Sequence, residues 1–367
     1  FSYRDVGGYG GNMKIEKRVF GQTKEGRDVL CWRIDDEKGM CAEILDYGVT
    51  IRSLIVPDGK NEKRNVVLGY DSMEQYEALP GFRGAVMGRF ANRIGGASFE
   101  LNGKRYELAA NDGKNHLHGG FCGFDRKIWD SKAVENGVRF RLFSPDGEEG
   151  YPGNLKVQVD VIVKNGALEL LYQAETDEDT VLNLTNHCFF NLDEGNTVKD
   201  HLLMINSDRY LVNDAACLPT GEIRKVDGTA MDFRQMRRLG DGIEENAAEI
   251  RLFGGYDHNF ILDQEGTAVM VNQEGVAAMA YSPKSKILMT MHTDQPGVQL
   301  FTCNDMGMVD GKAGKKYGNY SAFCLETQHY PDCVHHKEWS SAVLRKGEKF
   351  ESRTAYIFSV RDEMEDY

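Results

Sequence analysis

Residues 155–163 read Leu-Lys-Val-Gln-Val-Asp-Val-Ile-Val, and this alternation is the strongest indication of the fold class. Apolar side chains recur at every second position, as expected for a β-strand with one buried face and one mainly polar face. Residues 164–167, Lys-Asn-Gly-Ala, come next. Asn-Gly accepts the positive φ angles of a type I′ turn, and Leu168, Leu170 and Tyr172 continue the alternation beyond it. The stretch therefore predicts an antiparallel hairpin.

The same alternation appears elsewhere in the chain. Residues 99–106 predict a smaller hairpin around Asn-Gly, and residues 138–142 predict another strand. Helix signals are few, with short helices predicted at 72–78 and 241–248, so a parallel sheet of βαβ units is not expected. The prediction is an all-β fold, one large antiparallel β-sandwich over residues 13–367. Residues 1–12 are interpreted as an N-terminal extension, either native or added before a natural start at Met13.

Composition narrows the class of partner and the compartment. The 367 residues carry a formal net charge of −13, which argues against nucleic acid or an anionic membrane as a partner. No apolar run approaches the roughly 20 residues of a membrane span, and no signal segment opens the chain. The eight cysteines contain no Cys-x-x-Cys pair, a pattern typical of free thiols in a reducing compartment. We expect a cytoplasmic protein, a monomer or a homodimer.

Two titratable residues stand in unusual surroundings. His187 follows an apolar strand interrupted by Asn183 and Asn186, and it is interpreted either as a satisfied core histidine or as a proton-transfer residue in a polar cleft. Glu326 follows the apolar run Phe-Cys-Leu at 323–325. A carboxylate on a strand that is expected to be buried is either half of a buried ion pair or a candidate general base.

Other polar clusters are weaker signals. Residues 88–96 offer Arg89, Asn92 and Arg93, and either arginine, Arg89 more than Arg93, can instead belong to a surface ion pair. His116 and His118 would share one face of an extended strand, but no third metal ligand is evident. Asp257 at a strand entrance and Gln299 on a strand can both be structural. The chain has no phosphate loop, nucleophile elbow or dinucleotide fingerprint.

Taken together, these phrases resemble the aldose 1-epimerase (galactose mutarotase) family. Eight phrases occur in family order, at residues 65–70, 88–94, 115–120, 183–187, 218–222, 255–260, 295–299 and 325–332. The resemblance implies a galactose mutarotase-like supersandwich that interconverts the α and β anomers of free hexoses, such as galactose and glucose, without a cofactor or a metal. It also implies roles: Glu326 as base, His187 as acid and His118 as a second active-site imidazole, with sugar hydroxyls held by Arg93, Asn92, Asp257 and Gln299. Base and acid are expected on opposite sides of one sugar-sized hollow.

Two departures and three alternatives accompany this interpretation. Cys188-Phe189-Phe190 and residues 333–336 differ from the family pattern and could alter the pocket wall. A hexose-phosphate 1-epimerase on the same fold would need basic residues at the rim, for which Arg89 and Arg126 are the candidates. A glycosidase would use Asp257 and Glu326 as its two carboxylates. A non-catalytic carbohydrate-binding protein would need exposed aromatic platforms from the three tryptophans, Trp32, Trp129 and Trp339.

Overall fold

The Asn-Gly hairpin predicted at residues 155–172 lies within the largest sheet of the protein. The structure is a computed structural model, and it describes residues 4–5, 13–36, 38–79, 81–245, 247–262 and 275–364. Two ten-residue strands, Leu155–Lys164 and Ala167–Thr176, pair antiparallel from Lys164 opposite Ala167 onward. Asn165 and Gly166 between them have φ of 56° and 78°, as a type I′ turn requires. The hairpin prediction is confirmed.

Short strands make up most of the regular structure. In chain order they are β1 (Arg4–Asp5), β2 (Lys14–Gln22), β3 (Asp28–Asp35), β4 (Cys41–Leu45), β5 (Thr50–Pro57), β6 (Lys63–Asn65), β7 (Val86–Met87), β8 (Arg93–Ile94), β9 (Ser98–Leu101), β10 (Lys104–Glu107), β11 (His116–Leu117), β12 (Asp130–Val134), β13 (Gly137–Ser144), β14 (Leu155–Lys164), β15 (Ala167–Thr176), β16 (Thr180–Val181), β17 (Thr185–Asn186), β18 (Leu202–Ile205), β19 (Arg209–Asn213), β20 (Pro219–Lys225), β21 (Arg237–Arg238), β22 (Asp257–Ile261), β23 (Val276–Tyr281), β24 (Ile287–Thr293), β25 (Gly297–Phe301), β26 (Val309–Asp310), β27 (Lys316–Tyr317), β28 (Cys324–Gln328), β29 (Val343–Leu344) and β30 (Lys349–Val360).

Three large antiparallel sheets organise these strands. The first has the order β1-β2-β3-β4-β5-β6, and the second has the order β12-β13-β14-β15-β30-β24-β23-β18-β21. The third, of five strands, has the order β20-β19-β22-β25-β28. One buried apolar cluster draws side chains from all three, including Ile34, Val159 and Leu325. This arrangement is the predicted antiparallel β-sandwich.

The helices are short, as expected, but one prediction needs correction. α1 (Met73–Ala78) is capped at its N-terminus by Ser72, whose side chain forms a capping box with Gln75. The single helix predicted at 241–248 is instead two, α2 (Leu239–Glu245) and α3 (Ala248–Phe253). The second ends at Gly254, which adopts φ of 67° and closes the helix. Glycines inside α2 weaken the helical pattern, which explains the imprecise boundaries.

The N-terminal extension, the thiols and the membrane question complete the description. Arg4–Asp5 pairs with β2 at Glu16 and Lys17, and the rest of the interpreted extension, 1–12, lies outside the described residues. All eight cysteines carry free thiols. None of the helices in the described part of the chain is long and apolar enough to cross a bilayer.

Candidate active site

Most of the predicted site residues line one cavity of about 300 Å³. Gln299 does not line the cavity. Its side chain donates a hydrogen bond of 2.7 Å from Nε2 to Oδ1 of Asp257, and Asp257 does line the cavity. A larger hollow of about 510 Å³, on the β13–β15 and β30 surface, contains none of the predicted residues. The lining residues that the sequence predicted are Asn92, Arg93, His118, His187, Asp257 and Glu326.

The five-stranded sheet positions the carboxylates. In its register Gln299 on β25 lies opposite Glu326 on β28. On β28, Leu325 belongs to the apolar core, so the alternation of the strand turns Glu326 to the other face. Asp257 opens β22, which pairs with β25 on the side away from β28, and it also accepts a hydrogen bond of 3.5 Å from the Cys217 thiol. Gln299 and Cys217 therefore hold the Asp257 carboxylate in one orientation.

His187 lies directly beside Glu326. Its backbone N–H donates to the Ala85 carbonyl at 2.9 Å, just beyond the short pair of β17 with β7. Its ring stacks on Phe189, with centroids 4.9 Å apart and planes at 13°. His187 Nε2 is 3.6 Å from Oε1 of Glu326. The expectation of opposite sides is thus wrong, because β17 packs against β28 and makes the two side chains neighbours.

His118 is oriented by the backbone of Asn92. The Asn92 N–H donates to Nδ1 of His118 at 3.0 Å, and the His118 N–H donates to the Asn92 carbonyl at 3.0 Å. With Nδ1 accepting, the neutral ring carries its proton on Nε2. The ring centroid lies 5.2 Å from that of His187. Arg93, the next residue, donates from Nε to Oδ2 of Asp112 at 2.7 Å.

The two histidines predicted to share a face diverge. His118 has φ of 50°, so the chain is not extended there and the alternation that would align the rings is broken. His116 contacts the Ala109 carbonyl through Nδ1 at 2.7 Å and the Tyr151 hydroxyl through Nε2 at 2.6 Å. His116 is therefore a core histidine with both nitrogens satisfied.

Burial shifts the pKa values of the reacting groups. Glu326 is 2% exposed, and burial, reinforced by the charge of Asp257, raises the pKa of Glu326 well above its usual value. Burial lowers the pKa of His187 to about 3, with a further contribution from the charge of Arg83. Burial also lowers the pKa of His118 well below its usual value. Desolvation thus favours the neutral forms of all three side chains.

The site contains polar atoms that need a ligand. Among the described residues, buried atoms without a hydrogen-bond partner include Nδ1 of His187, Oε2 of Glu326 and Oε1 of Gln299. Leaving such atoms unpaired costs about 1–3 kcal/mol each. A ligand with several hydroxyl groups, which both donate and accept, would satisfy them.

The same side chains also form a possible metal-ligand set. One ligand atom from each of His118, His187 and Glu326 lies within 4.8 Å of the others. Two neutral imidazoles and a carboxylate are a donor set that zinc accepts. Proton transfer and metal binding would compete for the same atoms, so a chelator distinguishes them.

The departures from the family pattern lie mostly away from the cavity. Cys188 packs in the main core and Cys333 in a separate apolar cluster. Phe189 does line the cavity and supports the ring of His187. Of the two departures, only the first therefore reaches the pocket wall, through Phe189.

Sequence reasoning missed several wall residues. Phe82 stands between two glycines in a turn-rich stretch, and its ring lies 4.7 Å from that of His118. An aromatic residue in such a turn is a weak signal of a binding surface. The other missed wall residues lie on strand ends and loops, and of these only Leu117 falls inside one of the eight phrases: Gly81, Leu117, Phe301, Asp305 and Met306.

Comparison with known proteins identifies the family of this chain. The family model described as aldose 1-epimerase matches residues 30–357. The chain belongs to the aldose 1-epimerase family. It is 41% identical over 352 residues to a galactose mutarotase from Bos taurus, covering 95% of this chain and 99% of that one. A galactose 1-epimerase structure from Lactobacillus acidophilus matches with TM-score 0.81 and 28% identity, covering 95% and 99%. An aldose epimerase homologue from C. elegans matches with TM-score 0.82 and 27% identity, covering 89% and 98%. As an aldose 1-epimerase, the chain is an isomerase that interconverts sugar anomers.

The residues on which the alternative functions depend do not lie where those functions require them. Arg89 is buried away from the cavity, with Nη1 donating to the Pro152 carbonyl at 2.7 Å. Arg126 lines a neighbouring cavity of about 120 Å³. The three tryptophans are at most 9% exposed, so they form no sugar-binding platform. An aldose 1-epimerase also accounts for His187, which a two-carboxylate glycosidase would not use.

Proposed function

We propose that this aldose 1-epimerase acts on free aldohexoses, galactose and glucose, with Glu326 as base and His187 as acid. The proposal rests on one observation, the 3.6 Å between Glu326 Oε1 and His187 Nε2 inside a sugar-sized cavity. Galactose is proposed because relatives such as that from Bos taurus are named galactose mutarotases.

Adjacent acid and base groups suit this reaction. The anomeric hydroxyl and the ring oxygen are both bonded to C1, so the two protons move at neighbouring atoms. Glu326 takes the proton of the anomeric hydroxyl while His187 gives a proton to the ring oxygen, and the bond between C1 and the ring oxygen breaks. The resulting aldehyde rotates about the C1–C2 bond, and the reverse steps close the ring with the other anomer. Positioned acid and base groups each contribute roughly a hundred- to ten-thousandfold.

The site electrostatics favour the ring-opening direction. Ring opening converts a carboxylate and an imidazolium into a carboxylic acid and a neutral imidazole. Burial raises the pKa of Glu326 and lowers that of His187 to about 3, so both shifts favour the second arrangement. Coulomb attraction across 3.6 Å opposes them by stabilising the ion pair. The two effects together keep proton transfer accessible in both directions.

The remaining polar residues are proposed to hold the sugar. His118 donates from Nε2, because its Nδ1 accepts the Asn92 N–H. The Asp257 carboxylate, held by Gln299, accepts hydrogen bonds from sugar hydroxyl groups. Arg93 is the one arginine or lysine among the described wall residues, against three carboxyl groups, those of Asp257, Asp305 and Glu326. This balance favours neutral sugars over sugar phosphates.

The test is polarimetry on freshly dissolved sugars. We expect the protein to accelerate the rotation change of α-galactose and α-glucose, and to act much more slowly on glucose 6-phosphate. Dialysis against a chelator should leave the rate unchanged, since the proposed mechanism uses no cofactor or metal. Absence of acceleration with every neutral aldose would reject the proposal, and loss of rate with the chelator would favour metal binding by His118, His187 and Glu326.

Three further features remain proposals. We propose that residues 13–367 act as one domain, that the protein works in the cytoplasm, and that it is a monomer or a homodimer. Eight free thiols support a reducing compartment. Sedimentation of the purified chain would determine the number of subunits.

A further inference from the structure

A second cavity adjoins the one that holds Glu326 and His187. Its volume is about 120 Å³, against about 300 Å³ for the active-site cavity. Among the described residues, Gly81 and Phe82 are the two that line both cavities. Since Gly81 has no side chain, the Phe82 ring is the main part of the wall that the two cavities share. The proposed mechanism gives this ring no task.

The space behind the Phe82 ring suits a small uncharged substituent. Its described wall combines apolar residues such as Leu79 with polar residues such as Thr50. It also contains the oppositely charged pair of Asp125 Oδ2 and Arg126 Nε, 3.8 Å apart. The volume of about 120 Å³ is several times what one water molecule needs, so a methyl or methoxy group fits.

The backbone fixes the position of the Phe82 ring. Phe82 has φ of 57°, a left-handed conformation that is uncommon for a bulky side chain. The Ala85 N–H donates to the Phe82 carbonyl at 3.1 Å, and the Ile51 N–H donates to the Gly84 carbonyl at 2.9 Å. A strained backbone angle persists only where the surrounding contacts impose it. The ring is therefore a fixed wall and not a mobile cover.

The Phe82 ring lies on the side of the site where C6 of the sugar is expected. Its centroid is 6.0 Å from that of His187, with the two planes at 27°. In the proposed mechanism His187 protonates the ring oxygen, which is bonded to C1 and to C5. C1 faces Glu326, so C5 and its substituent C6 extend from the ring oxygen toward the aromatic rings that flank His187. Of these rings, those of Phe82, Phe189 and Phe301, Phe82 is the one that also borders the second cavity in the described part of the chain.

We propose that Phe82 is a specificity-determining residue that restricts the enzyme to aldoses without a substituent on O6, because its ring separates C6 of the sugar from the second cavity. This inference rests on the proposed function and adds a limit on the substrate. A substituent on O6 would collide with a ring that the backbone holds in place. Removing the ring would join the two cavities and give the substituent room. In a fitted pocket a change of one carbon group alters kcat/KM by about 10- to 200-fold.

The test uses galactose or glucose, whichever the wild-type protein converts faster, beside the 6-O-methyl and 3-O-methyl ethers of that sugar. The two ethers are uncharged isomers that differ only in the position of the methyl group. For wild type, polarimetry should give kcat/KM for the 6-O-methyl ether at least about tenfold below that for the parent sugar. In Phe82→Gly the ratio of the 6-O-methyl ether to the parent sugar should rise about tenfold or more. The ratio for the 3-O-methyl ether should stay as in wild type.

Comparison within one variant separates this role from a general effect on folding. Each ratio is measured on one preparation, so the folded fraction cancels. Glycine adopts φ of 57° without strain, and Phe82→Gly should therefore keep the fold. Phe82→Asn, whose side chain also tolerates a left-handed backbone, replaces it should the glycine variant fail to fold.

Met306→Ala is the matched control. Met306 lines the active-site cavity and is not among the described residues that line the second cavity, so both ratios should stay near those of wild type. The inference would be overturned by a wild-type protein that converts the 6-O-methyl ether as fast as the parent sugar, by an unchanged ratio in Phe82→Gly, or by equal gains for both ethers. Wild-type protein that is inactive on galactose and on glucose would instead reject the proposed function.

Discussion

Replacing Glu326 by Gln removes the proposed base while keeping the shape of the side chain. Glu326 lies opposite Gln299 on β25, so an amide fits the strand register. Loss of a positioned base should lower kcat by about a hundred- to ten-thousandfold, equivalent to about 3–5 kcal/mol of transition-state stabilisation. Sugar should still bind, because Asp257 and Gln299 remain in place.

The same substitution should change how stability depends on pH. Burial raises the folded-state pKa of Glu326 above its value of 4.5 in the unfolded chain. Its contribution to stability is therefore fully present below about pH 4.5 and is lost as the pH rises toward the folded pKa. Gln has no such loss. As the pH rises across that window, the free energy of unfolding of Glu326→Gln should increase relative to that of wild type by up to about 1.4 kcal/mol per pH unit.

Polarimetry of α-galactose and urea unfolding at pH 4, 5.5 and 7 measure the two effects. Glu351→Gln, which removes an exposed carboxyl on β30, is the matched control and should change neither. A turnover within tenfold of wild type would refute the assignment of Glu326 as base. A stability difference that does not change with pH would refute the reasoning about its burial.

Further predictions concern the acid, the buried imidazoles and the hairpin turn. His187→Asn should lose roughly a hundred- to ten-thousandfold in turnover with sugar binding retained in calorimetry; near-normal turnover would reject its role. Burial lowers the pKa of His187 and His258 to about 3 and that of His201 and His329 to about 4. Their stabilising contribution is thus present above pH 6.5 and lost as the pH falls, by about 2 kcal/mol each at pH 5; equal urea midpoints at pH 7 and pH 5 would contradict this. Gly166→Val should cost about 1 kcal/mol or more in urea unfolding because φ there is 78°, and no cost would argue against the type I′ turn.

Local sequence patterns were sufficient to predict the two hairpins and helix α1. The Asn165-Gly166 and Asn102-Gly103 turns form where predicted, because positive φ angles depend on the residues in the turn itself. The capping box of Ser72 and Gln75 is equally local. The resemblance of eight short phrases also led to the correct family, since each phrase could be compared without knowledge of its distant contacts.

The arrangement of the site residues could not be predicted from the sequence, because it depends on contacts between strands that are far apart in the chain. No pattern near His187 or Glu326 indicates that β17 packs against β28, so their 3.6 Å separation is a property of the folded sheets. The divergence of His116 from His118 depends on one backbone angle that the Asn92 contacts stabilise. No sequence pattern marks Arg83 either, and it is a buried cation because the fold brings Tyr70, Tyr317 and Phe189 around it. Charge and burial act through space, and the chain alone does not reveal which side chains share that space.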